Sequence, residues 1–336
     1  MATAMNNKLN WGIIGTGGIA HRFAKGLLES KTGHLAAVGS RSETAAQKFT
    51  ANHPCRGHGS YEALLADPEV EAVYISAPHP MHAEWAIKAA EAGKHILCEK
   101  PLTMNQAQAV TVIEAARKND VFLMEGFMYR CHPQTLKLLE MIRNNVIGEV
   151  RFMRATFSFE AVYDLKNRLF SRELGGGGIL DVGCYCASMA RLVAGAAVGK
   201  DFEEPAEING VGRIGEESGV DEYAIGSLKF PAGIVAQLAT GIRFELENNV
   251  RIVGTGGSIL IPDPWTLRTE FGFTKLIIFK AGIPNEIVVE SARSVYAMEA
   301  DNVAEHIAAR QSPAMSWADS LGNMKTLDVW RAALGN

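Results

Sequence analysis

The sequence predicts two domains of the α/β plus α+β class: an N-terminal domain with a doubly wound parallel sheet, and a C-terminal domain with a large, mostly antiparallel sheet. Three observations predict this architecture. Six short apolar segments alternate with helical segments up to about residue 124, and a glycine-rich turn follows the first of them. Beyond residue 206, short strand-like runs follow one another, separated by glycine and proline turns. We place the domains at residues 1–128 and 129–336, and expect the last helices to pack back near the cleft between them.

Composition narrows the class of protein. The 336 residues are too many for one ordinary core, and 47% hydrophobic with 21% charged residues is typical of a globular chain. A net charge of −4 without a basic run argues against nucleic-acid binding. No apolar stretch approaches the ~20 residues that span a bilayer, and Met1–Asn10 lacks the apolar core of a signal peptide. The five cysteines fit no disulfide or zinc spacing, so we expect reduced thiols, no metal and a cytoplasmic location.

The first strand, Leu9 to Ile14, runs into the turn Gly15-Thr16-Gly17-Gly18-Ile19-Ala20. In this G-x-G-x-x-A pattern, Gly15 permits the tight turn, Gly17 lets the backbone approach a pyrophosphate, and Ala20 lets the next helix pack closely. That helix, to about Ser30, offers free N–H groups and a positive dipole end to phosphates. Glycine turns also begin helices that bind nothing, but the strand–turn–helix setting favours a dinucleotide site of the Rossmann type.

The second strand, Leu35 to Gly39, ends in Ser40-Arg41-Ser42. An acidic residue here would bind the ribose 2′-hydroxyl of NAD, and this chain has none. Two hydroxyls and a guanidinium suit a 2′-phosphate instead, so NADP is favoured over NAD. The alternative is that Arg41 is a solvated charge and Ser42 a helix N-cap.

The strand from Val70 to Ser76 leads into Ala77-Pro78-His79-Pro80-Met81-His82. Two histidines three residues apart could bind a metal ion, but no third ligand of suitable spacing accompanies them. We expect His82 to cap or orient the loop beneath a nicotinamide ribose.

The apolar run Ile96-Leu97-Cys98 ends abruptly in Glu99-Lys100-Pro101. Strand ends of this kind face the ligand crevice of an open α/β sheet, and the proline fixes the backbone of the lysine. Lys100 is therefore a candidate reactive group, although a surface lysine after a strand would have the same local sequence.

The remaining elements follow from the same apolar periodicities and turn residues. In the first domain we predict helices at Glu43–Asn52, Tyr61–Leu65, Ala83–Ala92 and Asn105–Lys118, and strands near Cys55 and at Val121–Met124. In the second we predict helices at Pro133–Asn145, Tyr296–Ala309 and Ala318–Leu334, and strands at Val150–Phe159, Ile208–Ile214, Glu222–Phe230, Gly233–Ile242, Val250–Val253, Ser258–Ile261, Phe273–Phe279 and Ile287–Val289.

Four glycines, Gly175 to Gly178, precede a predicted helix from Ile179 to Ala194. The glycines permit close approach of the backbone to a ligand, unless they form a plain linker. Asp181 and Tyr185 lie four residues apart, on one face of that helix. Asp181 could instead only complement the helix dipole, and Tyr185 could be a core aromatic.

These motifs together resemble the Gfo/Idh/MocA oxidoreductases. The resemblance rests on the glycine turn, Ser40-Arg41, the His-Pro-x-His segment, Ala92-Gly93-Lys94-His95 and Glu99-Lys100-Pro101, which recur in order. The His-Pro-x-His segment and Met124-Glu125-Gly126-Phe127-Met128-Tyr129-Arg130 look most like the branch with dimeric dihydrodiol dehydrogenases and NADP-dependent D-xylose dehydrogenases. His79 stands where family members commonly carry asparagine.

The resemblance implies an NADP-dependent oxidoreductase that moves a hydride between nicotinamide and a hydroxyl-bearing carbon of a sugar or cyclic diol. Tyr185 would accept the proton, Lys100 would position the hydroxyl and make the tyrosine more acidic, and Asp181 would anchor a neighbouring hydroxyl. The roles of Lys100 and Tyr185 could be exchanged. The implied cofactor-binding residues are Gly15, Thr16, Gly17, Gly18, Ile19, Ser40, Arg41, Ser42, Ala77, His79, His82, Glu99, Lys100 and Arg130.

A homodimer or a higher homo-oligomer through the C-terminal sheet is also expected, because both faces of the strand around Gln237 are only weakly polar. Two other functions stay open: a glycoside-cleaving or epimerising enzyme with tightly held NAD, and a non-catalytic NADP-sensing regulator.

Overall fold

The computed structural model describes residues 8–267 and 272–335. Up to residue 7, the segment Met1–Asn10 lies outside the described residues. The chain forms two compact units that are not separated by a single cut. The first contains the residues up to Leu102, Ala107–Cys131 and Arg293–Trp317; the second contains Thr103–Gln106, His132–Ala292 and the residues from Ala318 onward. The domain boundary after residue 128 stays a prediction.

The first unit is built on a six-stranded parallel sheet with strand order β3-β2-β1-β4-β5-β6. Its order reverses beside β1, which gives the doubly wound topology that the strand–helix alternation predicts. The prediction of a Rossmann-type fold is confirmed. The elements are β1 (Leu9–Ile14), α1 (Gly18–Leu27), β2 (Gly33–Gly39), α2 (Glu43–Thr50), β3 (Arg56–His58), α3 (Tyr61–Leu65), β4 (Ala72–Ile75), α4 (His82–Glu91), β5 (His95–Glu99), α5 (Gln106–Lys118), β6 (Leu123–Gly126) and, much later, α8 (Val295–His306).

The central strands are buried, as unbroken apolar runs require in a sheet covered on both faces. All four residues of β4 are buried, and so are the three apolar residues of β5 before Glu99. Because the strands are parallel, their carboxyl ends share one edge. Gly15 follows β1 and Lys100 follows β5 at that edge, two strand spacings or roughly 10 Å apart.

The second unit is built on an eight-stranded sheet with order β14-β13-β12-β11-β7-β10-β9-β8. Every neighbouring pair is antiparallel except β7 with β10, so the predicted mostly antiparallel sheet is confirmed. Its elements are α6 (Pro133–Arg143), β7 (Val150–Ser158), α7 (Cys184–Ala197), β8 (Glu207–Ile214), β9 (Asp221–Lys229), β10 (Val235–Gly241), β11 (Val250–Gly254), β12 (Gly257–Ile261), β13 (Phe273–Lys280), β14 (Ile283–Glu290) and α9 (Trp317–Ala333).

The helix predicted from Ile179 to Ala194 differs at its start. Residues Ile179–Gly183 form a π-helical turn, and the α-helix proper, α7, begins at Cys184. Apolar periodicity cannot distinguish the two, because the wider turn comes from tertiary contacts of the preceding glycines. Gly178 packs on the backbone of Gly241, and its carbonyl accepts a hydrogen bond from Thr240 Oγ1 at 3.1 Å.

The expectation that no apolar stretch approaches membrane-spanning length was wrong for this same segment. Residues 179–197 form the one described helix that is long and apolar enough to cross a bilayer, and its most apolar 18-residue window is entirely buried inside the protein. A buried core helix passes the same test of length and composition.

Candidate active site

The glycine turn of the first unit has the geometry that a bound phosphate group requires. Gly15 has φ +109°, and a Cβ there would meet Ser76 Oγ at 2.9 Å, so only glycine fits this turn. A Cβ at Gly17 or Gly18 would meet nothing within 4 Å, so the space in front of the turn is open. Helix α1 begins at Gly18 without a side-chain cap. Its N–H groups and dipole end are therefore suited to a pyrophosphate, with Thr16 and Ile19 in the same turn.

The end of β2 lies beside this turn. The Thr16 and Ser40 hydroxyl oxygens are 3.5 Å apart, and Ser40 is buried. Ser42 is the N-cap of α2 and accepts from the Ala45 N–H at 3.3 Å, so the alternative reading of Ser42 is confirmed. Arg41 is exposed and makes no hydrogen bond or salt bridge within the described parts of the chain. Its guanidinium fork is suited to a phosphate ester.

The turn that carries Lys100 is fixed from several sides within the first unit. His82 is fully buried, and its Nδ1 and Nε2 lie 2.9 Å and 2.8 Å from the carbonyl oxygens of Pro101 and Ala77. Because a carbonyl only accepts, each of these bonds requires a proton on the ring nitrogen. Buried Glu125 accepts from the Leu102 N–H at 2.8 Å. The Lys100–Pro101 bond is cis, and the lysine is half-buried.

Glu99 accepts hydrogen bonds from the Tyr74 hydroxyl and, at 3.3 Å, from the Lys100 N–H. Burial, and then the charge of Glu99, raise the pKa of Tyr74 and of Glu299 well above their usual ranges, and raise that of Tyr296 as well. Both tyrosines are therefore neutral at pH 7, and burial favours the neutral form of Glu299.

Two other predicted cofactor-binding residues, Arg130 and His79, contact side chains and backbone of the first unit. Arg130 is buried; its Nε donates to the Tyr129 hydroxyl at 2.9 Å and its Nη1 to the Ala314 carbonyl at 3.4 Å. His79 is buried and its ring contacts that of His82, with centroids 5.6 Å apart. Across residues 8–267 and 272–335, no group of three or more His, Cys, Asp or Glu side chains could hold a metal ion.

In the second unit, Asp181 lies inside the π-helical turn and is buried. Its Oδ1 accepts from Arg168 Nη2 at 2.8 Å, which makes a salt bridge with a partly exposed arginine. Sequence reasoning assigned no role to Arg168, because a pair thirteen residues apart across a loop has no helical or strand spacing. Asp181 therefore does more than complement a helix dipole.

Tyr185 is buried among aromatic rings. The Phe157 and Trp265 rings stack with centroids 5.6 Å apart and an interplanar angle of 9°. The centroid of the Tyr185 ring lies 5.2 Å from that of Phe157 and 5.8 Å from that of Trp265, and both contacts are edge to face. Trp265 Nε1 donates to the Thr156 carbonyl at 2.8 Å, which fixes the indole. Phe157 and Trp265 also line a cavity of about 530 Å³.

The glycine run brings backbone close to protein. A Cβ at Gly176 would lie 2.4 Å from the Leu169 carbonyl oxygen, and one at Gly177 would lie 2.3 Å from Asp221 Oδ1. Asp221 in turn accepts from the Ile179 N–H at 2.6 Å. These glycines are not a plain linker, because they let Arg168–Phe170 and Asp221 pack against the start of the helix. The close approach of a ligand to this run stays a prediction.

Comparison with known proteins assigns both halves of the chain. Residues 9–127 match the model of an oxidoreductase family with an NAD-binding Rossmann fold, and residues 135–260 match the GFO/IDH/MocA C-terminal domain. The chain belongs to the Gfo/Idh/MocA oxidoreductase family. The family predicted from the motifs, and the prediction of an NAD(P)-dependent oxidoreductase, are confirmed.

Several relatives of this Gfo/Idh/MocA protein have known activities. It is 34% identical to the trans-1,2-dihydrobenzene-1,2-diol dehydrogenase of Xenopus tropicalis, over 92% of this chain and 93% of the relative. It is 37% identical to the enzyme of that name from Mus musculus, over 76% and 75%. A 3-ketoreductase from Actinomadura kijaniata, solved with NADP and TDP-benzene, superposes with a TM-score of 0.88 at 28% identity, covering 98% of each chain.

Proposed function

We propose that the protein is an NADP-dependent dehydrogenase or reductase that transfers hydride between nicotinamide and a hydroxyl-bearing carbon of a sugar or cyclic diol. One observation carries the proposal. The open glycine turn and Lys100 lie at the same edge of one parallel sheet, in a chain similar over nearly its whole length to diol dehydrogenases. That edge is where open α/β sheets bind their ligands.

The choice of NADP over NAD rests on the end of β2. Ser40 and the unpaired fork of Arg41 lie where a ribose 2′-substituent would be bound, and no acidic residue accompanies them. A guanidinium binds a phosphate dianion with paired, charge-assisted hydrogen bonds. The ketoreductase from Actinomadura kijaniata was crystallised with NADP, which agrees with this choice.

In the proposed reaction, nicotinamide supplies the hydride acceptor. Tyr185 takes the proton of the substrate hydroxyl, Lys100 donates a hydrogen bond to the same oxygen, and Asp181 binds a neighbouring hydroxyl. The arginine beside Asp181 fixes the orientation of that carboxylate as an acceptor. The solved structures of the Actinomadura ketoreductase include variants of one lysine and one tyrosine, the two residue types that this scheme requires.

A ring-shaped substrate fits the surroundings of Tyr185. Flat aromatic faces bind the apolar face of a sugar or cyclohexadiene ring, while carboxylate and guanidinium groups bind its hydroxyls. The stacked Phe157 and Trp265 rings supply the first kind of contact, and Asp181 with Arg168 supplies the second.

The experiment follows nicotinamide absorbance while the purified protein is offered aldoses and cyclic diols, trans-1,2-dihydrobenzene-1,2-diol among them, with NADP and with NAD. We expect turnover with NADP and a cofactor that exchanges with solution. Lys100→Met should lower turnover at least about 10²-fold and leave NADP binding largely intact. Lys94 is buried and is therefore an unsuitable control, so Lys88→Met, at a side chain of α4 that is 39% exposed, is the matched variant. No turnover on any substrate, or a fully active Lys100→Met enzyme, would contradict the proposal.

A homodimer through the second sheet is part of the same proposal. Val211 lies directly opposite Ile225, and Phe152 opposite Val235, and all four share one face of the sheet with exposures of 68%, 47%, 37% and 39%. A row of exposed apolar side chains across four strands is a favourable protein–protein surface. Ile225→Glu should produce monomers in light scattering. Leu28→Glu, at an 83% exposed position of the first unit, should leave the oligomeric state unchanged.

A cytoplasmic location is likewise proposed. All five cysteines are free thiols, and reduced thiols persist in that compartment.

A further inference from the structure

Asp221 lies at the first position of β9 and is buried, with 1% of its surface exposed. Its Oδ2 accepts from the Ile179 N–H at 2.6 Å, and the nearby Gly178 N–H also acts to lower the pKa of this carboxyl group. These two N–H groups open the helical segment that continues into α7. A carboxylate at this end of a helix satisfies N–H groups that have no partner within the helix, and it interacts favourably with the dipole.

The surroundings of Asp221 are shaped to admit it. Gly177 has φ +99°, and a Cβ there would lie 2.3 Å from Asp221 Oδ1. Oδ1 has no hydrogen-bond partner within the described residues. The chain therefore keeps an incompletely paired carboxylate in its interior and leaves a bare glycine beside it.

The turn that this carboxylate holds is the one with π-helical geometry. It contains Asp181, and Tyr185 follows in the first turn of α7. Single π-turns within helices are energetically poor and recur at functional sites, where they re-aim side chains. Removing the anchor at Ile179 would let this segment relax toward regular α-helix and rotate Asp181 relative to Tyr185.

We propose that Asp221 is a positioning residue, whose buried carboxylate holds the π-turn in the geometry that presents Asp181 and Tyr185 to substrate. This inference rests on the proposed function for what Asp181 and Tyr185 do. The anchoring itself depends only on contacts within the second unit.

The test compares Asp221→Asn with Glu222→Gln, a buried carboxylate at the next residue that has no described contact with the π-turn. In the full-length protein, Asp221→Asn should raise hydrogen exchange of the amides from Ile179 to Tyr185 at least about tenfold, and leave the rest of the second unit protected. It should lower kcat between about tenfold and about 10²-fold, the effect of displacing catalytic groups by about 1 Å, without changing the Kd for NADP. Glu222→Gln should do neither.

The pH dependence of kcat/KM is a further measurement, and it would not change if Asp221 had only a structural role. Burial raises the pKa of the Asp221 carboxyl to about 7, against the opposing effects of the N–H groups of Ile179 and Gly178 and of Arg331 on α9. Only the ionised carboxyl holds the turn with charge-assisted bonds, so kcat/KM should decline on the acid side near pH 7. That decline should be absent from Asp221→Asn and retained in Glu222→Gln.

Three outcomes would overturn the inference: unchanged exchange at Ile179–Tyr185, exchange that rises evenly over the whole second unit, or an active Asp221→Asn variant with wild-type kcat and pH profile. If the wild type turns over no substrate, the proposed function fails. The exchange measurement still decides whether Asp221 anchors the turn.

Discussion

Asp221 should make the protein less stable as the pH rises, in contrast to most carboxylates. Its pKa is raised from 3.8 to about 7, and burial is the main cause. Below about pH 4 the group is protonated whether the chain is folded or unfolded, and it contributes nothing to the pH dependence. Between about pH 4 and about pH 7 the unfolded chain releases the proton and the folded chain retains it, so the free energy of unfolding falls as the pH rises.

The size of the effect follows from the same values. A difference of about three pH units at about 1.4 kcal/mol each gives a loss of about 4 kcal/mol once the pH is well above 7. The part between about pH 5.5 and about pH 8.5 is about 2 kcal/mol, because the folded state is fully ionised only near the upper limit.

Urea unfolding, followed by tryptophan fluorescence over that pH range, measures this effect. The free energy of unfolding of Asp221→Asn minus that of the wild type should rise by about 2 kcal/mol from the acid to the alkaline end. The subtraction removes all other titrating groups, and Glu222→Gln should give a flat difference. Parallel curves for Asp221→Asn and wild type would refute the reasoning, because the carboxyl would then titrate alike in the folded and unfolded chain.

Three further predictions concern other residues. Gly177→Ala should lower the free energy of unfolding by at least about 2 kcal/mol, since it adds a steric clash to a left-handed φ. Gly219→Ala is the control, because its φ is +65° and the space around it is open, and it should lose only about 1 kcal/mol in the same urea titration. Arg41→Ala should weaken NADP binding about tenfold to about a hundredfold in calorimetry and leave NAD binding unchanged, because a charge-assisted pair is worth about 1.5–3 kcal/mol. Lys48→Ala on α2 is the control. Equal losses of affinity for NADP and NAD would contradict the assignment of Arg41 to the 2′-phosphate. Burial lowers the pKa of His132 to about 4. The contribution of the neutral histidine to the free energy of unfolding should therefore be fully present above about pH 6.5 and be lost as the pH falls toward 4. His132→Asn keeps an N-cap on α6, and its free energy of unfolding should fall less steeply as the pH is lowered. An unchanged decline would mean that another group causes the loss of stability in acid.

The part of the first unit up to residue 127 could be predicted nearly completely from sequence because its signals are local, whereas α8 was predicted in the second domain. The apolar run before Glu99 fixes β5, the glycine turn fixes the start of α1, and Ser42 caps α2 where its residue type indicates. Parallel strands then bring Gly15 and Lys100 to one edge without further information. The sequence predicted that His82 orients a loop, but not that it bonds to Pro101 beside Lys100. The contacts of Tyr74 with Glu99 and of Glu125 with Leu102, 25 and 23 positions apart, were missed.

In the second unit the candidate residues were found, and their surroundings were not. Asp181 and Tyr185 were singled out by the family resemblance, and helical spacing places them on one face, whereas Trp265 reaches the Tyr185 cluster through a bond between residues 109 positions apart. Asp221 bonds Ile179 across 42 positions. Such contacts depend on which strands of a mixed sheet become neighbours, and short strands with similar apolar patterns do not specify that order.

The glycine run shows what local chemistry alone could not identify, namely which groups of the protein come close to it. Four glycines before a helix suggest that something must come close to the backbone, and that part of the inference holds. The groups that come close are a carbonyl and a buried carboxylate of the same chain. A folded protein gains no stability from an acid whose pKa is raised by burial, and an amide of the same shape would be less costly there. Its presence beside the turn that carries Asp181 is therefore the strongest structural argument that the geometry of this turn, and not its stability, serves the reaction.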